Sequence, residues 1–218
     1  MPGPARPAAT TVAVIAKAPV PGRVKTRLCP PCTPRQAAAL AEASLRDTLA
    51  AMDGLDAAVG RAIVLDGAAG PWHGTERLLA QRGGGLDERL AAAFTDLGGP
   101  ALIVGMDTPQ LRTGHLLRAL GALEDHEAVL GPARDGGYWA IGLRDPSRAA
   151  EVLHGVPMSV GGTLAAQRRR LAGAALRWDE VDELHDVDTI ADAAHVAALA
   201  PASRFAAVLQ SLDLRRAA

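Results

Sequence analysis

The chain reads as a single α/β domain with a mixed, mostly parallel sheet covered by helices on both faces. Three features predict this: short β-branched apolar runs, helical patterns between nearly all of them, and one strand pair separated only by a turn. Thr11 to Ala16 (TVAVIA) is the first strand. A proline-rich loop with Gly22 follows. Thr33, Pro34 and Gln36 supply an N-cap, a proline at the first helical position and the far half of a capping box, opening a helix to about Met52. Ile63 to Leu65 mark a second strand, and Leu86 to Leu97 (LDERLAAAFTDL) has helical spacing. Ala101 to Met106 (ALIVGM) is a buried strand ending at Asp107, and a helix follows from about Thr113. Val129 to Leu130 and Tyr138 to Leu143 are strands around the Arg134–Gly137 turn. Helical patterns near 146–153 and 163–171 precede a short strand near Leu176, and Asp186 to Asp188 lead into helices broken at Pro201. No repeat or long linker divides the chain, so residues 11–218 form one domain behind a flexible tail, Met1 to Thr10.

At 218 residues the chain can bury about 70% of its unfolded surface, enough to fold without disulfides. A net charge of -1 argues against a nucleic-acid or membrane partner, and 3% aromatics argue against a base-stacking platform. No segment reaches the roughly 18 apolar residues of a membrane span, and the start lacks a secretory signature. Two cysteines, Cys29 and Cys32, suit a reducing compartment. A cytoplasmic location is expected, and the oligomeric state, a homodimer included, is left open.

Lys17, Arg23, Lys25 and Arg27 fall in KAPVPGRVKTR, directly after the first strand. Ligands of open α/β sheets sit beyond the carboxyl ends of strands. Four cations and Gly22 in a stiff loop suit a polyphosphate, because Arg binds bidentately and Lys offers a compact charge. Lys17 and Lys25 are the only lysines among 23 basic residues. The competing reading is a solvated charged loop. A P-loop fails on Val24, which stands where Gly must precede the lysine, and no G-x-G-x-x-G follows the strand.

Asp107 follows an apolar strand and precedes Thr108-Pro109, which holds it at the sheet's rim. In His185-Asp186-Val187-Asp188, an extended backbone puts both aspartates on one face. Asp107, Asp186 and Asp188 are suited to hold Mg²⁺ or Mn²⁺ together with substrate phosphates. Asp188 has a plainer alternative at a helix start, where Thr189 and Asp192 look like a capping box. His185 is a poorer match to Mg²⁺ and is left out. Asp135-Gly136-Gly137 is a turn signal, and Arg134 and Tyr138 beside it can reach an acceptor. Cys29-Pro30-Pro31-Cys32 before a helix resembles a redox motif, but its context differs and no second pair completes a zinc site. Trp72, Trp139 and Trp178 are expected to pack or to edge a pocket.

AKAPVPGRVKTRL, LDERLAAAF, GMDTPQL, LGPARDGGYWAIGL and DVDT, in this order, are similar to a family of small bacterial transferases. These have the GT-A fold of the nucleotide-diphospho-sugar transferase superfamily and are often labelled glycosyltransferases. The family looks related to guanylyltransferases acting on phospholactate and on molybdopterin. The resemblance implies a Rossmann-like three-layer sandwich with a nucleotide pocket at the first loop. It further implies phosphate contacts from Gly22 through Arg27, metal at Asp107, Asp186 and Asp188, and an acceptor near Asp135-Gly136-Gly137-Tyr138. Met106 and Met158 depart from the family pattern, where a small polar residue and a Trp are common.

The expected reaction is nucleotidyl transfer, in which a small phosphorylated acceptor attacks the α-phosphate of an NTP and displaces pyrophosphate. Lys25 and Asp107 are the candidate catalytic residues; Lys25, with Arg23 and Arg27, would stabilise the leaving pyrophosphate. An ionised acceptor needs no general base. The alternatives are glycosyl transfer from an NDP-sugar, with Asp135 as the candidate base, and a nucleotide-binding protein without turnover.

Overall fold

The computed structural model describes residues 9–212. Of the expected Met1–Thr10 tail only Ala9 and Thr10 fall within them, and residues 213–218 also lie outside. The elements are β1 (Thr11–Lys17), α1 (Pro34–Met52), β2 (Gly60–Asp66), β3 (Arg77–Ala80), α2 (Leu86–Leu97), β4 (Ala101–Gly105), α3 (Thr113–Asp125), β5 (Ala128–Pro132), β6 (Tyr138–Leu143), α4 (Ala149–Leu153), α5 (Thr163–Gly173), β7 (Trp178–Glu180), α6 (Ile190–Leu199) and α7 (Arg204–Ser211). One seven-stranded sheet has the order β3-β2-β1-β4-β6-β5-β7. All neighbours run parallel except β6, which opposes both β4 and β5. The chain thus adopts the mixed α/β architecture its pattern predicts.

The central strands are apolar on both faces because helices cover both. Val12, Ala13 and Val14 of β1 and Ala101 to Val104 of β4 are all buried. On one face Leu45, Leu49 and Met52 of α1 join Leu116 and Leu123 of α3. On the other, Leu90 and Phe94 of α2 pack with Val152, Leu153, Leu164 and Leu171 of α4 and α5. The outer side of α1, through Ala37 and Leu40, meets Val187, Val196 and Phe205 in a satellite core. The expected capping box opens α1: Gln36 N–H donates to Thr33 Oγ1 at 3.3 Å, and Thr33 N–H donates to Gln36 Oε1 at 2.8 Å. Buried Asp47 accepts from the N–H groups of Arg204 and Phe205 at 3.0 and 2.8 Å, satisfying the start of α7.

Four details differ from the sequence expectation. β3 is a short edge strand of Arg, Leu and Ala, with no β-branched residue to signal it. β4 ends at Gly105, one residue before Met106. The 146–153 pattern splits into a 3₁₀ turn and the short α4. The last strand begins at Trp178, while Leu176 packs in the core beneath α5. Among the described residues no helix is long and apolar enough to cross a membrane.

Candidate functional site

The carboxyl ends of β1 and β4 open into a cleft of about 590 Å³, inside the roughly 300–1,000 Å³ range of small-molecule sites. Because β6 runs antiparallel, its first residue, Tyr138, lies at the same edge. Lys17, Arg23, Lys25, Arg27, Asp107, Asp135, Gly137, Tyr138, Asp186 and Asp188 all line the cleft. Three expected residues do not. Gly22, at φ 78°, shapes the first loop from outside. Arg134 is exposed and does not line the cleft; its N–H donates to Leu184 O at 3.0 Å. Gly136, at φ 87°, packs so tightly that an added Cβ would sit 2.1 Å from Gly161 O.

Backbone bonds explain why distant acidic segments meet. Ser44, buried on α1, donates its hydroxyl to Met106 O at 2.7 Å and pins the end of β4. Val187 N–H donates to Asp107 O at 3.0 Å, tying the 186–188 segment to that end. The segment is extended: Val187 enters the satellite core, so Asp186 and Asp188 face the cleft, as alternation requires. The Lys17 N–H donates to Met106 Sδ at 3.2 Å. Met106, a departure from the family pattern, therefore supports the first loop.

Lys25 sits at φ 49°, ψ 37°, a left-handed conformation unusual for a side-chain-bearing residue. That backbone turns its largely buried ammonium inward, 2.9 Å from Asp107 Oδ1 and in contact with Val187 O. Arg27 pairs with Asp188 at 2.8 Å, both side chains open to solvent. Burial, then the nearby carboxylates of Asp107 and Asp135, push the Asp186 carboxyl up to about 7, with Lys25 opposing. Asp107 Oδ1 and Asp186 Oδ1 are buried without a hydrogen-bond partner; the contact of Asp107 with Lys25 is an ion pair lacking hydrogen-bond alignment. Among the described residues no group of three or more His, Cys, Asp or Glu is gathered tightly enough to hold a metal ion as it stands.

The plainer readings separate cleanly. Thr189 and Asp192 form the capping box of α6, while the Asp188 side chain reaches Arg27 instead. His185 turns to Asp192 Oδ1 at 2.8 Å and packs on His195. Cys29 and Cys32 are free, and burial, then Cys29, push the Cys32 thiol up, opposite to a redox-active cysteine. Trp72 and Trp139 are buried, and Trp139 also lines the cleft.

The cleft also draws on residues the sequence reading missed. Gln81 bridges the ends of β1 and β2, donating to Ala16 O and Val64 O at 2.8 and 3.1 Å. Arg89 donates to Gly84 O at 3.0 Å and lies 3.6 Å from Asp66. Leu86, Met158, Ser159, Val160 and Thr163 complete the walls. Gly83-Gly84-Gly85 directly before a helix was the available signal, since such a helix start faces ligands.

No curated protein matches the chain significantly. Among solved structures, a Desulfovibrio desulfuricans G20 protein, provisionally assigned as a nucleotide-diphospho-sugar transferase, is 25% identical; the match covers 96% of this chain and 98% of that one, with a TM-score of 0.85. CMP:2-keto-3-deoxy-manno-octonic acid synthetase, complexed with CTP, is 12% identical over 88% of this chain and 98% of its own, with a TM-score of 0.53. Rv0371c from Mycobacterium tuberculosis H37Rv, in complex with manganese, is 17% identical over the same shares, 88% and 98%, with a TM-score of 0.54. The fold is that of the nucleotide-diphospho-sugar transferases. Residues 36–160 match the family model described as "Uncharacterized protein conserved in bacteria (DUF2064)", and the chain belongs to that family.

Proposed function

We propose that the protein is a nucleotidyltransferase that uses an NTP and releases pyrophosphate. One observation carries this reading: Lys17, Arg23, Lys25 and Arg27 line the same cleft as Asp107, Asp186 and Asp188, with the Lys25–Asp107 ion pair between the two sets. Phosphoryl chemistry depends on positioning and charge neutralisation, which is what such a lining offers. Arg23, Lys25 and Arg27 hold the β- and γ-phosphates and stabilise the charge that builds on the leaving pyrophosphate. Asp107, through its pair with Lys25, fixes the direction of that ammonium.

The residues fit a divalent cation. Asp186 Oδ1 is buried with no hydrogen-bond partner and Asp107 Oδ1 has only its ion pair with Lys25, and hard cations prefer such carboxylate ligands. Asp107 and Asp186 would hold Mg²⁺ or Mn²⁺, with Asp188 joining once Arg27 turns to phosphate. A bound cation supplies neutralisation of phosphate charge. The manganese of Rv0371c is the reason to test Mn²⁺ beside Mg²⁺.

A second reading, glycosyl transfer from an NDP-sugar, is favoured by Asp135 on the cleft wall and by the assignment of the Desulfovibrio protein. Both readings share the leaving-group site. Incubating the purified protein with each NTP and with NDP-sugars, with metal and with EDTA, separates them. Metal-dependent pyrophosphate release supports the first and free NDP the second. Nucleotide binding without either product leaves a non-catalytic nucleotide-binding protein.

A further inference from the structure

We propose that the acceptor end of the cleft takes an uncharged molecule with an apolar body and a free hydroxyl, not a phosphorylated one. This rests on the nucleotide-transferase reading above and holds for either donor.

The charges of the cleft are unevenly placed. Four basic side chains come from β1 and the loop behind it, and Arg89 is turned toward Gln81 and Asp66. The opposite wall is made by Asp135, Tyr138, Met158, Ser159, Val160 and Thr163, one carboxylate and no cation. A phosphate there would face Asp135 without a counter-charge.

Several hydrogen-bond donors of this wall are already taken up within the protein. The start of α5 would attract an anion if its N–H groups were free. However, Thr163 N–H donates to Val160 O at 3.0 Å and Leu164 N–H donates to Gly136 O at 2.8 Å. The DGG turn thus occupies one N–H of that helix end with a carbonyl. Gly137 N–H donates to Asp135 Oδ1 at 2.8 Å. The Thr163 hydroxyl is held by the carbonyls of Pro157 and Val160 at 2.9 and 2.8 Å. The Tyr138 hydroxyl turns toward Gln167 Oε1 at 3.4 Å and Met158 Sδ at 3.6 Å. Ser159 keeps the one side-chain hydroxyl that these bonds leave.

Beside the exposed Asp135 and Ser159, the wall presents apolar side chains to solvent. Val160 is 52% exposed and Leu86 39% exposed, both on the cleft. Leu86 belongs to this end because its neighbour Asp87 accepts from Gly155 N–H at 2.9 Å. With Met158, these side chains gain by covering an apolar substrate body.

An uncharged hydroxyl needs a proton acceptor, and Asp135 is the carboxylate present. The acceptor O–H bond breaks and its proton passes to Asp135. The freed oxygen pair bonds to the transferred centre, whose bond to the diphosphate oxygen breaks. The diphosphate leaves with that electron pair.

The test begins with calorimetric binding of NTPs and NDP-sugars in Mn²⁺. Failure at this step sinks the nucleotide reading itself. With nucleotide saturating, benzyl alcohol and benzyl phosphate are then titrated into wild type and Val160→Arg by saturation-transfer NMR. The alcohol is expected to bind at least about tenfold more tightly than its phosphate ester in wild type. Val160→Arg, with unchanged nucleotide affinity, should narrow or reverse that ratio. Equal or tighter binding of benzyl phosphate to wild type, or no binding of either probe, overturns the proposal.

Discussion

The end of β1 and the loop after it bring four basic side chains to one end of the cleft, whereas the turn before β6 and the segment before α5 bring one carboxylate and several apolar side chains to the other. The first end is organised by side chains: Lys25 pairs with Asp107, and Arg27 with Asp188. The second is organised by backbone: Gly136 O accepts from Leu164 N–H at the start of α5, and Gly137 N–H binds Asp135. The difference teaches that residue type alone does not define a phosphate site. Both ends have a glycine turn and a nearby charge, but that charge is positive only at the first, where Lys17 and Arg23 stand outside the two ion pairs.

The largest expected effect breaks the first end. Lys25→Met should lower metal-dependent product release by about 10²–10³-fold, the usual cost of losing one preorganised positive contact. Steady-state kinetics measure it, with melting curves to show that the fold survives. Gly136→Ala attacks the second end. The added Cβ would collide with Gly161 O at 2.1 Å, and φ 87° disfavours any side chain. A loss of about 2–3 kcal/mol is expected, lowering Tm by about 4–12 °C. Nucleotide affinity at the first end should stay near wild type.

A smaller effect concerns Asp186, between the two ends. Its carboxyl is raised from 3.8 to about 7 by burial first and then by Asp107 and Asp135. The native state therefore holds this proton more tightly than the unfolded chain. The resulting stability is complete below about pH 4 and lost as pH rises through about 7. Asp186→Asn is neutral throughout, so in EDTA it should melt about 2–6 °C above wild type at pH 8. The gap should narrow at pH 5 and close below about pH 4. Equal melting at both pH values would remove the argument that Asp186 sits among uncompensated carboxylates.

The smallest effect lies at α6. Burial pushes the Asp192 carboxyl up, but hydrogen bonds from His185 and Thr189 outweigh it and hold it at about 2. Its contribution is present above about pH 4 and lost as pH falls through about 2. Asp192→Asn should cost about 1 kcal/mol at neutral pH, as loss of a cap does, and proportionally less in acid. Chemical denaturation at the two pH values checks this.

The elements legible in the sequence were those whose local chemistry agrees with their tertiary setting. The Thr33–Gln36 box, the apolar runs of β1 and β4 and the alternation around Val187 behave as their residues dictate. β3 was not legible, because an edge strand of Arg77 to Ala80 owes its pairing to β2 rather than to its own residues. Gly22, Arg134 and Gly136 sit within motifs whose other members line the cleft, but a motif does not say which side chain the turn directs inward. Gln81 and Arg89 were missed for a related reason. Their importance depends on β1 and β2 carbonyls and on Asp66, all far away in sequence. The docking of the DGG turn on the start of α5 follows from a bond between residues 136 and 164, which no local pattern announces.

A crystal structure with a bound NTP and Mn²⁺ tests the central claim most directly. The account predicts β- and γ-phosphate oxygens on Arg23, Lys25 and Arg27, with an anomalous manganese peak at Asp107 and Asp186. Phosphates lodged instead against Arg169 and Arg170, in the separate groove beside α5, would contradict it.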